Sequence, residues 1–542
     1  MKNKILIGCL LISSLFATSC SDFLDEDPKG KLSADTFFSS QSDLDMAVTA
    51  LWKKVNDPAN NTNAYGPAWM GDDLTTHPAS NKQAYAQYDR FVMVNDNKTV
   101  VTAWDTSYAI IKAANYLIAN AEKTPVSEEE IKIALGQAHY WRAYNYFYLV
   151  RLFGELPLNL TNEISQETPL SSVQDVYNII VSDLEYCVAN LPTKYTAAPR
   201  AYQGVATYIT KQAAMATLSC VYMNMAGWPL NKGTEYYAKA ADVAKQVIDG
   251  SNSGTFEYNL LPEYSQVYSL SHNYNNETVV GINKSAAFTW SQDNETGKSN
   301  VFESQGGWGD GWGALRFWKD FPEGARKDAT FMPKIMVLVG GYRGQLHNFW
   351  DKDPEGNFII PEAHPCYQIF CASNNGTADF DYTYGGSATP SVDHACTEKR
   401  VLCIRYSEVL LWYAECSARA TGSVNTQALE CLNKVRVRAG ENPIVAGSLS
   451  ADDFAELCFK EHGWEVAGYW MACQTRRMDL QRMSLLGKVW ADRQEDHTTG
   501  VEVVPGVVIK ESISPEGSFS EAKNIYAPYP AVDQDLNPNL KK

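Results

Sequence analysis

Two tryptophans four residues apart, Trp308 and Trp312, stand in the run GGWGDGWG. Flanking glycines have no side chain to cover an indole, so both rings are expected to be exposed. An exposed aromatic plane stacks on the apolar C–H face of a sugar ring. Each such contact adds roughly 0.5–1.5 kcal/mol beyond burial, so several must act together. Trp290 and Phe288 lie in a similar polar run, and the segment 57–95 adds Tyr65, Trp69, Asp73 and His77. Asp73 and His77 have the chemistry to hydrogen-bond a fringe of hydroxyls, although a lone loop histidine is ordinarily just solvated. The candidate ligand contacts are therefore Trp308, Trp312, Trp290, Trp69, Tyr65, Asp73 and His77. Trp104 and Trp141 fall on helix faces and Trp318 in a helix-like run, so these three are expected to be structural.

A different chemistry is written at Cys20. Lys2 and Lys4 precede an apolar run, Ile5 to Phe16, and the small residues Ala17, Thr18 and Ser19 end it at the cysteine. This is the layout of a secretory signal, and the run is shorter than the about 20 residues a membrane span needs. Cys20 is read as a lipobox cysteine, acylated on its thiol, with residues 1–19 removed as signal peptide. Buried acyl chains contribute about 0.8 kcal/mol per CH₂, so several of them anchor the chain stably. Residues 20–40, beginning with the acidic stretch Ser21 to Pro28, form the tether.

Catalytic signatures are missing from the sequence. It contains no G-x-S-x-G elbow, no H-E-x-x-H and no Gly-rich phosphate loop. Carboxylates are plentiful enough that a glycosidase-like pair stays open on counting alone. Asp72, Asp73 and Asp310 lack an EF-hand-like loop and are expected to be solvated acids, with no metal and no cofactor. The net charge of −17 argues against nucleic acid as a partner. Of 12 cysteines, Cys187, Cys220, Cys416 and Cys431 fall on apolar helix faces, where buried thiols are expected. Cys366, Cys371, Cys396 and Cys403 are near enough in sequence to allow one disulfide.

The elements that position these residues read as helices. Ser127 and Glu130 form an S-x-x-E cap after Pro125, and apolar residues from Ile131 to Leu149 recur at three- and four-residue steps until Gly154 and Pro157. Further helices are predicted over 41–56, 101–122, 172–192, 204–225, 234–248, 405–421, 426–439, 451–462 and 464–484. Their spacing suggests helical hairpins of tetratricopeptide type. Residues 251–400 turn rich in Gly, Asn, Ser and Asp with clustered aromatics, as ordered binding loops would.

Residues 134–158, ALGQAHYWRAYNYFYLVRLFGELPL, closely resemble the signature helix of the SusD/RagB family of Bacteroidetes outer-membrane lipoproteins. Arg142, Phe147, Arg151, Phe153, Gly154 and Pro157 occupy the matching places. Four further segments fit in order: 176–192, 404–422 with 432–440, RRMDLQRM at 476–483 and YPAVDQDLNPNL at 529–540. His462 departs from the pattern, standing where an arginine is common, which is expected to alter local packing. The SDFLDED stretch behind Cys20 resembles the export signal for the cell exterior.

The resemblance implies a mostly α fold of about four tetratricopeptide-like helix pairs, decorated by long irregular loops that form the ligand face. It divides the chain into a helical region over 41–250 and a second over 251–542 with binding loops and the final helix pairs, one compact unit overall. It implies a non-enzymatic, surface glycan-binding lipoprotein on the outer membrane, with a SusC-like TonB-dependent transporter as partner. The alternatives are a surface glycoside hydrolase and a RagB-like peptide binder. Which glycan is bound is not encoded in any motif.

Overall fold

The computed structural model describes residues 37–541 apart from 58–61, 79, 163–164, 166, 286, 288–307, 338–339, 374–377 and 380–396. The signal, Cys20, residues 20–36 of the tether, Trp290 and Phe288 lie outside the described residues.

The helices ahead of the aromatic loops include α1 (Gln41–Asn56), the short α2 (Gln83–Asp89), α3 (Lys98–Asn120), α4 (Glu128–Phe153), α5 (Val173–Asn190), α6 (Lys211–Ala226) and α7 (Thr234–Asn252). After the aromatic loops come α8 (Leu315–Asp320), α9 (Ala325–Thr330), α10 (Tyr406–Thr421), α11 (Thr426–Arg438), α12 (Ala451–Glu465), α13 (Arg476–Arg482) and α14 (Leu486–Thr498). Short polar side chains start many of them. Ser40, Asn97, Ser127, Ser172, Thr210, Asn425 and Ser450 each accept a first-turn N–H that the helix itself leaves unpaired. Each of α4 to α7 packs on its predecessor, and α10 packs on α7 with α11 and α12 beside it. The result is the mostly helical, tetratricopeptide-like stack that the hairpin spacing predicts.

Three boundaries differ from expectation, each for a tertiary reason. Residues 204–210 are not helical: Ala201–Tyr202 and Val205–Ala206 form a small hairpin, and α6 starts only after Thr210. Gly250 does not end α7. It lies within the helix, where a Cβ would meet the Phe256 ring at 2.4 Å. The helix expected over 464–484 is broken: α12 ends at Glu465, and α13 begins at Arg476. Between them Gly468 takes φ +68°, and a Cβ there would sit 2.5 Å from the Tyr367 ring.

The strands used below are β1 (Leu74–Thr76), β2 (Thr278–Ile282), β3 (Gly311–Gly313) and β4 (Val401–Arg405). β2 and β4 form a fully buried antiparallel pair. The residues that carry the family resemblance are fastened inside the stack. Arg142 holds Asp183 with two bonds of 2.8 Å and Asn115 with a third of 2.9 Å, joining α4, α5 and α3. Arg151 stacks 3.6 Å over Phe147 and donates to Gln474 at 2.9 Å. Arg482 grips Glu415 through both terminal nitrogens (2.8 and 2.7 Å) and Asp479 through Nε at 2.8 Å. Bidentate guanidinium–carboxylate geometry is what allows such charges to be buried.

His462 belongs to the same network. Its Nδ1 meets Asp479 and its Nε2 lies 3.2 Å from Glu408, with the whole side chain buried. The two carboxylates outweigh the cost of burying the charge and raise its pKa to about 9. His462 thus supplies a positive charge at this position.

Candidate functional site

The two loop regions picked out in the sequence are joined by one short sheet. β1 and β3 pair antiparallel, with Leu74 opposite Gly313, Thr75 opposite Trp312 and Thr76 opposite Gly311. Asp89 holds β1 in place, accepting the Thr76 N–H at 2.8 Å and the Thr75 hydroxyl at 3.1 Å, and it is ion-paired with Arg493. The His77 N–H then donates to the Asp310 carbonyl at 3.0 Å, closing the end of the pair. Asp310 also forms an ion pair with Lys82.

This pairing gives Trp308 and Trp312 opposite fates. Trp308 lies just before the strand and is 37% exposed, whereas Trp312 is 2% exposed. The expectation of an exposed Trp312 is corrected. The neighbouring glycines are present because β3 lies flat against other rings: a Cβ on Gly311 would meet Trp69 Nε1 and the Thr75 carbonyl at 2.7 Å, and one on Gly313 would meet Phe331 at 3.0 Å. Trp312 packs against His364 (ring centroids 4.9 Å apart) and His77 (5.0 Å). His364 Nε2 lies 3.0 Å from Glu511, whose carboxyl is held below its ordinary value, against the upward push of burial, by that histidine and the Leu315 N–H.

Trp69 is likewise a core residue, fully buried between Tyr85 (4.6 Å, stacked) and Trp470 (4.3 Å, edge-on). Asp73 is buried too. Its Oδ2 accepts the Gly468 N–H at 2.8 Å and its carbonyl accepts the Tyr367 hydroxyl at 2.7 Å. Burial first, then the nearby Asp72 charge, push its pKa up to about 7. Trp69 and Asp73 therefore position the loop instead of facing solvent. The solvated-acid reading of Asp72, Asp73 and Asp310 is also corrected: Asp72 is held by Arg476 through bonds of 2.7 and 2.9 Å, and Asp310 by Lys82. Tyr65 is half-buried against the core, and desolvation drives its phenol well above the ordinary value. His77 is half-buried at the edge of the Trp312 ring.

Sequence reasoning set Trp318 aside as structural. The structure places it, half-buried, in a cluster with Phe349 (5.0 Å, edge-on) and Trp350 (5.3 Å), with the Lys327 ammonium 4.1 Å over its ring. Trp350 is also half-buried. A groove of about 700 Å³ was missed altogether. It runs between the turns at 262–272, α9 and the segment 368–371, and its lining includes Gln266, Ser269, His272, Gln368 and Arg438. These residues come from three separate stretches of the sequence, around 266–272, 368 and 438, and no local pattern groups them. Cys366, Cys371 and Cys403 are buried thiols, while Cys396 lies outside the described residues. Among the described residues no group of three or more His, Cys, Asp or Glu is placed to hold a metal ion, and no helix is long and apolar enough to cross a membrane.

Residues 22–223 match a family described as "Starch-binding associating with outer membrane", and residues 380–542 match the SusD family. A SusD-like protein of Bacteroides ovatus is 24% identical over 592 aligned positions, covering 100% of this chain and 98% of its own. Surface glycan-binding protein A from Bacteroides uniformis has the same fold, with TM-score 0.68 at 22% identity over 92% of this chain and 98% of that one. A crystal structure with xylogluco-oligosaccharide superposes at TM-score 0.68 and 20% identity, over 92% and 98% of the two chains.

Proposed function

The chain belongs to the SusD/RagB family of carbohydrate-binding proteins, and on that premise we propose that it captures glycan at the cell surface and passes it to a SusC-like TonB-dependent transporter. Cys20 anchors it to the outer membrane through lipid, and it performs no catalysis of its own. The observation that supports the binding reading is the β1–β3 pairing, which brings the segment of His77 and the segment that follows the 37%-exposed Trp308 together, with the Lys82–Asp310 ion pair at the end of the sheet. An aromatic plane next to fixed polar groups is what a sugar ring requires. Engagement of Asp72, Asp73 and Asp310 within the protein favours binding over hydrolysis.

The test is affinity electrophoresis of the purified chain through gels containing a panel of polysaccharides. Retention on one of them should fall about two- to thirteen-fold in Trp308→Ala, the equivalent of one stacking contact. Released oligosaccharide product would refute the non-catalytic reading. Binding to peptides with no retention on any glycan would make the cargo peptide instead.

A further inference from the structure

Cys220 on α6 and Cys473, in the bend between α12 and α13, are far apart in the sequence and meet in the fold. Their thiols are hydrogen-bonded to each other, and the two residues are 0% and 4% exposed. The surrounding contacts hold each sulfur where it is. Cys220 Sγ lies 3.4 Å from Oε1 of Gln474, the residue after Cys473, and 3.7 Å from Asn224 Nδ2. Gln474 Oε1 also accepts from Asn224 at 3.0 Å and from Arg151 Nη1 at 2.9 Å. From the other side, the Cys473 N–H donates to the Cys403 carbonyl of β4 at 2.7 Å.

The pair is polarised. Burial pushes the Cys473 thiol up, but the Cys220 hydrogen bond and the Arg151 charge outweigh it and hold Cys473 below its ordinary value. Burial and the contact with Cys473 drive Cys220 well above its own. Cys473 is therefore the thiolate of the pair and Cys220 the protonated donor, the division of labour that disulfide formation uses. Cys403 is a third thiol nearby, but it bonds Tyr144 and meets Cys473 through charge alone. The bend that carries Cys473 also supports the ligand loops: Gly468 donates to Asp73, and Trp470 packs on Trp69.

We propose that Cys220 and Cys473 are a redox pair, free thiols in the structure described here and a single disulfide in the chain folded under oxidising conditions. The oxidant is itself a disulfide, such as glutathione disulfide or a thiol–disulfide oxidoreductase. The Cys473 thiolate attacks it and releases one thiolate, which takes the proton of Cys220. The Cys220 sulfur then displaces the second thiolate from Cys473. Two protein thiols lose two electrons and two protons, and the oxidant becomes two thiols. Both sulfurs are enclosed in the finished fold, so the exchange takes place while the bend closes onto α6. The bond fastens the support of the ligand loops to the helical stack.

The test refolds the full chain from reducing urea, with glutathione alone or with glutathione disulfide added. Free thiols are then alkylated and the chain is digested without reductant. In the oxidised sample the peptides of Cys220 and Cys473 should run joined, about 2 Da lighter than their sum, and separate on reduction. The oxidised chain should also have the higher urea midpoint, because the bond closes a long loop. That gap should vanish in Cys473→Ala and persist in Cys403→Ala. The peptide map needs only the wild-type chain, so it decides the matter even where Cys473→Ala fails to fold. Full alkylation of Cys220 and Cys473 after oxidising refolding would overturn the proposal, as would a joined Cys403–Cys473 peptide; equal midpoints would refute the fastening.

Discussion

His462→Gln should remove a defined, pH-dependent part of the stability. In the fold His462 on α12 lies between Asp479 on α13 and Glu408 on α10, with the Trp412 ring 6.0 Å away. Arg482 and Gln474 also bond Asp479, at 2.8 and 3.0 Å, and the Arg405 N–H bonds Glu408 at 2.8 Å, so the acids keep partners when the imidazole is lost. The folded pKa of His462 is about 9 against an ordinary value of 6.5. Because it is raised, its contribution is complete below about pH 6.5 and disappears as the pH rises through about 9. A shift of that size corresponds to about 3 kcal/mol. Asp73, raised to about 7, and Lys399, lowered to about 8, titrate near the same window and affect wild type and variant alike. Urea unfolding of both proteins from pH 6 to 9.5 isolates the His462 term as their difference. That difference should be about 3 kcal/mol at pH 6 and shrink towards zero by pH 9.5. Parallel curves would show that the imidazole is neutral in the fold and that the charge assignment is wrong.

Trp312→Ala should lower stability by about 3–5 kcal/mol, as deletion of a fully packed indole does, seen as a fall in the urea midpoint. Trp308→Ala should leave that midpoint unchanged, so the pair separates core from surface. Cys20→Ala should release a folded, glycan-binding protein into the medium and abolish uptake in cells; normal uptake by the soluble variant would refute the anchored role.

The helices were legible because their signals are local. Ser127, Ser172 and Asn425 cap the helices they precede, and apolar residues repeat on one face. The break after Glu465 was not legible, because Gly468 answers to the ring of Tyr367, 101 residues earlier in the chain. The site was half legible. Both loops named from sequence do meet, through β1 and β3. Reading glycine as openness was the error at Trp312. Glycine in a strand also marks close approach by another group, here Trp69, and the alternation Gly311, Trp312, Gly313 was the available signal. Trp69 and Asp73 lacked even that clue, since their burial depends on Trp470 and Gly468 at the far end of the sequence.

These placements divide the protein's work between two sets of residues. Arg142, Arg151, Asp479 and Arg482 carry the family resemblance, and all are consumed in buried ion pairs and hydrogen bonds between helices. Matching them therefore reports on the scaffold and is silent about cargo. Arg438 is the partial exception: it pairs with Glu277 and Glu465, yet it also borders the groove. Ligand identity has to be sought where side chains remain accessible to a solute, at Trp308, at the Trp318–Trp350 cluster and along the groove. A stacking face accepts many sugars, so discrimination among them has to come from the polar side chains that border it.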